Sequence, residues 1–344
     1  MGITALSLPG LPGARGPLSA ALTASLQDAP AGRLRGVPRY LDGDPFGEDH
    51  QLALYLCYEL HYRGFARVDP RWEWDPQLLA VRRRLEDDFL DAVRDLLGPV
   101  EGLAAQLDAL LVEPLTGTGP SHYLLDRGER WQAREYLAQR SLYHLKEADP
   151  QAWAIPRLHG AAQAALVAIE YDEYGGGRPE RAHSRLFAEM MTDLGLDPSY
   201  GHYLDAAPAP ALAVVNLMSL FGLHRVHRGA LIGQFAAVEI TSSPGSERLA
   251  AALARLGAGP AGVRFYQEHV EADAVHEQLV RHGVIEAAIR DEPGLEADIA
   301  FGLAAGALVD DRFAEHLLSC WHGGSSSLRV PLGDAPAATP VAVR

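Results

Sequence analysis

An all-α helical bundle is the fold this sequence predicts. Apolar residues recur at spacings of three and four through most of the chain, short Pro/Gly breaks separate stretches rich in Ala, Leu, Glu and Arg, and no run alternates with the period of two that a half-buried strand needs. Strand–helix alternation and internal repeats are both absent, which favours a bundle over an α/β fold. In 344 residues of 48% hydrophobic composition there is ample material for one large core.

Residues 1–40 are punctuated by Pro9, Gly10, Pro12, Gly13, Gly16 and Pro17, so they are expected to be a disordered segment, with ordered structure beginning near Pro45. Residues 45–120 hold helices expected over 50–63, 76–97 and 99–112, forming an extra layer or a small subdomain. The main bundle, 121–322, carries helices expected over 127–147, 157–174, 179–194, 208–242, 248–256, 261–282, 284–290 and 295–321. Asp149-Pro150 stops the first of these, Gly175-Gly176-Gly177 the second, and Pro179 and Gly195 bracket the third. From Gly323 through the serines at 325–327 to Arg344 the composition of the first segment returns, and 323–344 is expected to be a disordered tail.

A formal net charge of −15 argues against nucleic acid or an anionic membrane as partner, since either would repel the chain as a whole. The run Arg82-Arg83-Arg84 is followed by Glu86, Asp87 and Asp88 and reads as a solvated helix face. The start shows no secretory signal pattern and no run approaches 18 apolar residues, so a soluble cytoplasmic protein is expected. Cys57 and Cys320 lie far apart with no ligand or redox spacing, as buried free thiols of a reducing compartment would.

Chemistry concentrates in Phe265-Tyr-Gln-Glu-His269-Val-Glu-Ala-Asp273-Ala-Val-His276. At about 100° per residue, His269, Asp273 and His276 share a narrow arc of one helix, inside a stripe that otherwise faces the core between Phe265 and Val280. Buried ionisable groups need a strong partner, and neutral imidazoles with a carboxylate suit iron, manganese or zinc. Four more residues join them. His183 lies on an apolar face with Phe187, Met190 and Leu194; Glu173 ends a helix at the pole where a bound cation reverses the dipole penalty; Glu239 shares a buried face with Leu231 and Phe235; Glu147 ends a helix carrying Tyr136, Arg140 and Tyr143, with Glu135 as its competitor.

Taken singly, each has a plainer reading: a core histidine at 183, a solvated acidic end at 173 with Glu170 and Asp172, an ion pair or helix-end hydrogen bond at 239 near Thr241 and Ser242, a surface acid at 147 beside Lys146 or Arg140. Together they are three histidines and up to four carboxylates on five helices, about the ligand inventory of a two-iron site in a bundle. The paired Glu-x-x-His motifs of ferritin-like proteins are missing, which points away from that group. For substrate, the basic cluster His224, Arg225, His227 and Arg228 is placed on the helix of Glu239 and could anchor a carboxylate, or else pair with the surplus acids; Tyr174, Phe265 and Tyr266 could line a pocket or fill core.

Lys146-Glu147-Ala148-Asp149-Pro150 with Trp153-Ala154-Ile155-Pro156, Asp172-Glu173-Tyr174-Gly175-Gly176-Gly177 leading to His183, Asn216 through His224, Glu239-Ile240-Thr241-Ser242-Ser243 and Glu268 through His276 together resemble the iron-containing redox enzymes of the haem-oxygenase-like di-iron oxidase and oxygenase superfamily. The resemblance covers roughly residues 50–320. It implies a haem-oxygenase-like helical bundle that binds no haem but two non-haem Fe(II)/Fe(III) ions, with Glu147, Glu173, His183, His269, Asp273 and His276 as ligands and Glu239 as a further carboxylate. Either Glu147 or Glu239 would bridge, and a manganese–iron pair suits the same donors.

The activity implied is that of an O2-activating oxygenase or oxidase working through a peroxo-diferric species, with O2 as co-substrate and an external electron donor. Its expected substrate is a small amine or amino-acid-like molecule, oxidised by N-oxygenation or oxidative C–C cleavage. Oxidative decarboxylation of a fatty acid is the alternative within the superfamily, and a non-catalytic helical carrier the alternative outside it. A metal-independent hydrolase of the related fold would need a nucleophilic cysteine, and neither Cys57 nor Cys320 has the motif. A homodimer is expected from bundle size alone.

Overall fold

The computed structural model describes residues 8–27, 34–37, 43–112 and 117–333, and among them there are helices and no strand. In chain order the helices are α1 (Pro17–Gln27), α2 (Glu48–Glu59), α3 (Pro76–Leu97), α4 (Leu103–Leu110), α5 (Pro120–Asp126), α6 (Arg130–His144), the single turn α7 (Asp149–Ala152), α8 (Gly160–Glu173), α9 (His183–Asp193), α10 (Ala209–Leu223), α11 (Arg228–Arg255), α12 (Pro260–Gln278), α13 (Glu286–Asp291) and α14 (Leu295–His322). A π-helical stretch, Leu279–Ile285, joins α12 to α13. The expected all-α bundle is the fold observed.

The centre of the bundle is α11, packed lengthwise against α12 and α14, while α9 lies on α12 and α10 crosses α14. Its closest approach is set by small residues. A Cβ on Gly233 of α11 would strike the Ile299 carbonyl of α14, and one on Gly302 of α14 would strike the Ala230 carbonyl, so the two backbones touch only because both positions are glycine. No single helix among the described residues is long and apolar enough to cross a membrane.

The described residues of 45–120 share the main core: α2 packs on α10 and α3, and its buried Leu52, Leu56 and Tyr58 belong to one apolar cluster with Leu212, Leu217 and Phe221.

Four expectations are corrected. Residues 17–27 are helical, with Leu18, Leu22 and Leu26 buried one turn apart. Asp49 of α2 caps this helix, accepting from the Leu18 and Ser19 amides at 2.9 and 2.7 Å, so the N-terminus of α1 is satisfied by tertiary structure. Of the expected tail, 323–333 is ordered: Ser327 and Leu328 are buried, and Glu135 accepts from the Ser327 amide at 2.8 Å and from the Ser326 hydroxyl at 2.5 Å. Residues 1–7 and 334–344 lie outside the described residues. The helix expected over 208–242 breaks at His224–His227 with a bend of 106°, and α11 then continues through Pro244 to Arg255. Cys57 is buried, whereas Cys320 is only half-buried.

Candidate metal centre

Five chain segments deliver the seven candidate ligands to one place. Glu147 sits in the turn after α6, Glu173 is the last residue of α8, His183 the first of α9, Glu239 lies midway along α11, and α12 presents His269, Asp273 and His276 from successive turns. All seven are buried. They form two groups, Glu147–Glu173–His183–His269 and Glu173–Glu239–Asp273–His276, in each of which one donor atom per residue lies within 4.8 Å of the others. Glu173 belongs to both groups.

The loop between Glu173 and His183 reverses the chain through Gly175, Gly176 and Gly177, all at positive φ. At Gly175 (φ +86°) a Cβ would also collide with the Arg178 carbonyl and the Ala182 amide. We expect Gly175→Ala to cost about 1–3 kcal/mol of stability and to lower metal uptake, read from denaturant midpoint and metal content. Wild-type values for both would show that the loop can yield.

Hydrogen bonds orient the imidazoles as ligands are oriented. His269 Nδ1 donates to the Phe265 carbonyl at 2.8 Å, which leaves Nε2 turned toward Glu147, 3.7 Å from its Oε1. His276 Nε2 lies 3.1 Å from the half-exposed Asp172 carboxylate, while Nδ1 faces Glu239, Glu173 and Asp273 at 3.0, 3.5 and 3.6 Å. Ser242 donates to Asp273. His183 Nδ1 approaches Glu173 Oε2 to 2.7 Å, yet the contact lacks hydrogen-bond geometry, and Glu147 Oε2 is buried with no hydrogen-bond partner among the described residues. Orphaned buried donors and acceptors of this kind are costly unless something else binds them.

The electrostatics agree. Burial alone would lower the His269 and His276 imidazoles, but the facing carboxylates, Glu147 for one and Asp273 with Glu239 for the other, push them up to about 10 and about 11. Burial would raise Glu147, yet His144 and His269 hold its carboxyl well below the usual range. Burial pushes Glu239 up to about 7, with His276 opposing and Glu173 and Asp273 adding to the rise. One turn before Glu173, the buried Glu170 makes no hydrogen bond among the described residues; burial, with Glu173 and Glu239 nearby, pushes its carboxyl up to about 9. The two groups, seven buried donors with Glu173 shared, are ones that could hold metal.

Sequence reading missed two members. His144 is buried, with Nδ1 2.6 Å from Glu147 Oε1, and its ring is held by Phe187 and Phe265 at 4.8 and 5.1 Å. The spacing His144-x-x-Glu147 was the available signal. Asp172 orients His276 instead of fraying into solvent. Glu135, the competitor of Glu147, is committed to Ser326 and Ser327.

The basic cluster is also corrected. His224 pairs with Glu86 at 2.9 Å, Arg228 pairs with Glu292, and neither they nor Arg225 line the cavity. Arg228 lies eleven residues from Glu239 on α11, about 16 Å at 1.5 Å per residue. Tyr174 is exposed and donates to Asp149 at 2.8 Å. Phe265 and Tyr266 do line the cavity, a space of about 460 Å³ between α6, α11, α12 and α14 whose inner wall includes Glu147, Glu173, Glu239, His269 and Asp273.

Residues 134–311, 178 of the 344 residues, match the model of a family described as iron-containing redox enzyme, a haem-oxygenase type. That range contains all seven candidate ligands. Nitrosourea synthase of Streptomyces achromogenes subsp. streptozoticus is 24% identical over 153 residues, 44% of this chain, and the match spans about a third (32%) of that relative's length. A solved domain of unknown function with a heme oxygenase-like fold, from Shewanella denitrificans OS217, aligns with a TM-score of 0.44 at 17% identity, over 65% of this chain and 94% of that one.

Proposed function

The chain belongs to the family of iron-containing redox enzymes, and on that premise we propose that it is a non-haem di-iron, O2-activating oxygenase or oxidase. The observation that carries this reading is the pair of buried ligand groups joined through Glu173. Glu147, His183 and His269 would hold one ion, Glu239, Asp273 and His276 the other, with Glu173 between them. Two ferrous ions bound there would supply electrons for the reduction of O2.

The remaining chemistry belongs to the chain's own residues. Phe235, Phe265 and Phe313 line the cavity beside the buried ligand groups, and a low-dielectric wall strengthens the electrostatic contacts next to it. Asp172 and the Phe265 carbonyl fix the tautomers of His276 and His269.

We propose a small amine or amino-acid-like substrate. The cavity carries Arg140, Asp310 and Asp311 as well as its aromatic wall, which suits a molecule with charged groups. The name of the relative, nitrosourea synthase, favours oxidation at nitrogen over C–C cleavage.

Anaerobic titration of the metal-free protein with Fe(II), then rapid mixing with O2, tests the proposal. Uptake of two irons per chain, as the two groups require, with O2 consumption and a visible absorbance change is the expected result. A single iron or none, with no O2 uptake, would sink it.

A further inference from the structure

Arg140 lines the cavity one helical turn before His144, about 6 Å along α6 at 1.5 Å per residue. A guanidinium carries five N–H donors. Among the described residues this one makes no hydrogen bond: Nε is buried without a partner, and Nη1 stands 3.7 Å from Asp310 Oδ1, beyond hydrogen-bonding distance. On the same wall Tyr266 Oη is buried and equally without a partner. The Arg140 side chain is 24% exposed and that of Asp310 44%, so the two sit toward the open side of the cavity while the ligand groups form its inner wall. A cation and a hydroxyl with unused donors, facing a cavity, are a recognition site for an oxyanion.

Taking this cavity as the substrate chamber of the proposed enzyme, we propose that Arg140 anchors a substrate carboxylate, with Tyr266 donating to the same group and Asp310 accepting from an adjacent ammonium. The head group so described is that of an α-amino acid, held at the open end with its side chain directed inward. His144, one turn further along α6, touches Glu147. The one-turn spacing of about 6 Å between residues 140 and 144 sets the scale for the probes, roughly five C–C bonds at ~1.5 Å each with tetrahedral zigzag. The earlier candidates His224, Arg225 and Arg228 cannot fill this role, since none lines the cavity.

Three probes of matched reach separate the parts of the head group: norleucine carries carboxylate and ammonium, hexanoate the carboxylate alone, and pentylamine the ammonium alone. Binding of each to the iron-loaded full chain is measured by anaerobic calorimetry, with iron content determined on the same samples. Norleucine should bind tightest. Arg140→Gln should weaken norleucine and hexanoate by about ten- to hundredfold and leave pentylamine unchanged, with Arg140→Lys between the two. Asp310→Asn should weaken norleucine and pentylamine but spare hexanoate. Tyr266→Phe, a milder change should Arg140→Gln not fold, should cost hexanoate about two- to tenfold and pentylamine nothing.

No carboxylate-dependent binding in the wild type, or a carboxylate preference that survives Arg140→Gln, would overturn the anchor even if iron uptake is normal. Arg140-dependent selectivity in a chain that takes up no iron would instead sink the di-iron reading and leave the anchor standing.

Discussion

Loading the metal-free protein with Fe(II) at pH 7 should release at least the protons of His269 and His276, and its apparent affinity for the full complement should rise about two decades per pH unit from about 7 to 9. The facing carboxylates push these imidazoles up to about 10 and about 11, so both are protonated at neutral pH, and each must lose its proton before its nitrogen can bind a metal. Glu239, at about 7, adds a fractional proton near neutrality. Stability of the metal-free chain should run the other way. For His269 and His276 the folded values lie above the ordinary 6.5, so their contribution is complete below 6.5 and is lost as pH rises through 10 and 11. Glu239 adds a loss between 4.5 and about 7, whereas Glu147, held below its ordinary 4.5, contributes above that value and loses stability in acid. Metal binding removes the ring protons, so the iron-loaded chain should escape the alkaline loss, and the gap between loaded and metal-free stability should widen with pH. Calorimetry in two buffers of different ionisation enthalpy counts the protons. His276→Ala should eliminate one of them together with one iron. Uptake that releases no proton and does not vary with pH would exclude both histidines as ligands.

What the sequence made legible was local. Asp75 and Pro76 open α3 and Gly98 closes it, so the expected 76–97 coincides with the helix observed. His269, Asp273 and His276 needed only helical periodicity to be seen as one face. Glu147, Glu173 and His183 needed three turns in the right places, including one through glycines at positive φ, and only the family resemblance joined them beforehand. The misses share a cause. The N-terminus of α1 is capped by an aspartate thirty residues away, His144 is recognisable only with Phe187 and Phe265 against its ring, and at the break His224 pairs with Glu86 of α3 while Arg157 donates to the Leu223 carbonyl. Each is a tertiary contact that composition and spacing do not encode. Gly and Pro near residues 9–17 outweighed a stripe of three leucines for the same reason.

Removing Glu59 should destabilise the fold by about 3–5 kcal/mol, although Glu59 is no part of the metal centre. It ends α2 and accepts from Lys146 Nζ at 3.0 Å; Tyr200 Oη donates to both its oxygens at 2.8 Å, and Lys146 lies 4.0 Å from the Tyr62 ring centroid. Lys146 and Glu59 are each only 1% exposed, so Glu59→Ala leaves an ammonium in the core facing aromatic rings, with Asp149 as the remaining nearby carboxylate among the described residues. Lys146 precedes Glu147, and Arg63 donates to the Leu145 carbonyl at 3.0 Å, so the turn that aims Glu147 is held from beneath by the N-terminal layer. Loss of the pair should therefore also lower iron uptake, by moving Glu147 away from His269. Replacing both partners, Glu59→Leu with Lys146→Met, should recover most of the stability, because two apolar side chains of similar volume leave no charge unpaired. That double variant separates the two roles. If its denaturant midpoint returns toward wild type while its iron affinity stays low, the pair positions Glu147 beyond merely filling space. Should Glu59→Ala alone cost under about 1 kcal/mol, Lys146 must be able to shed its charge or reach water, and the 145–148 turn would need another support.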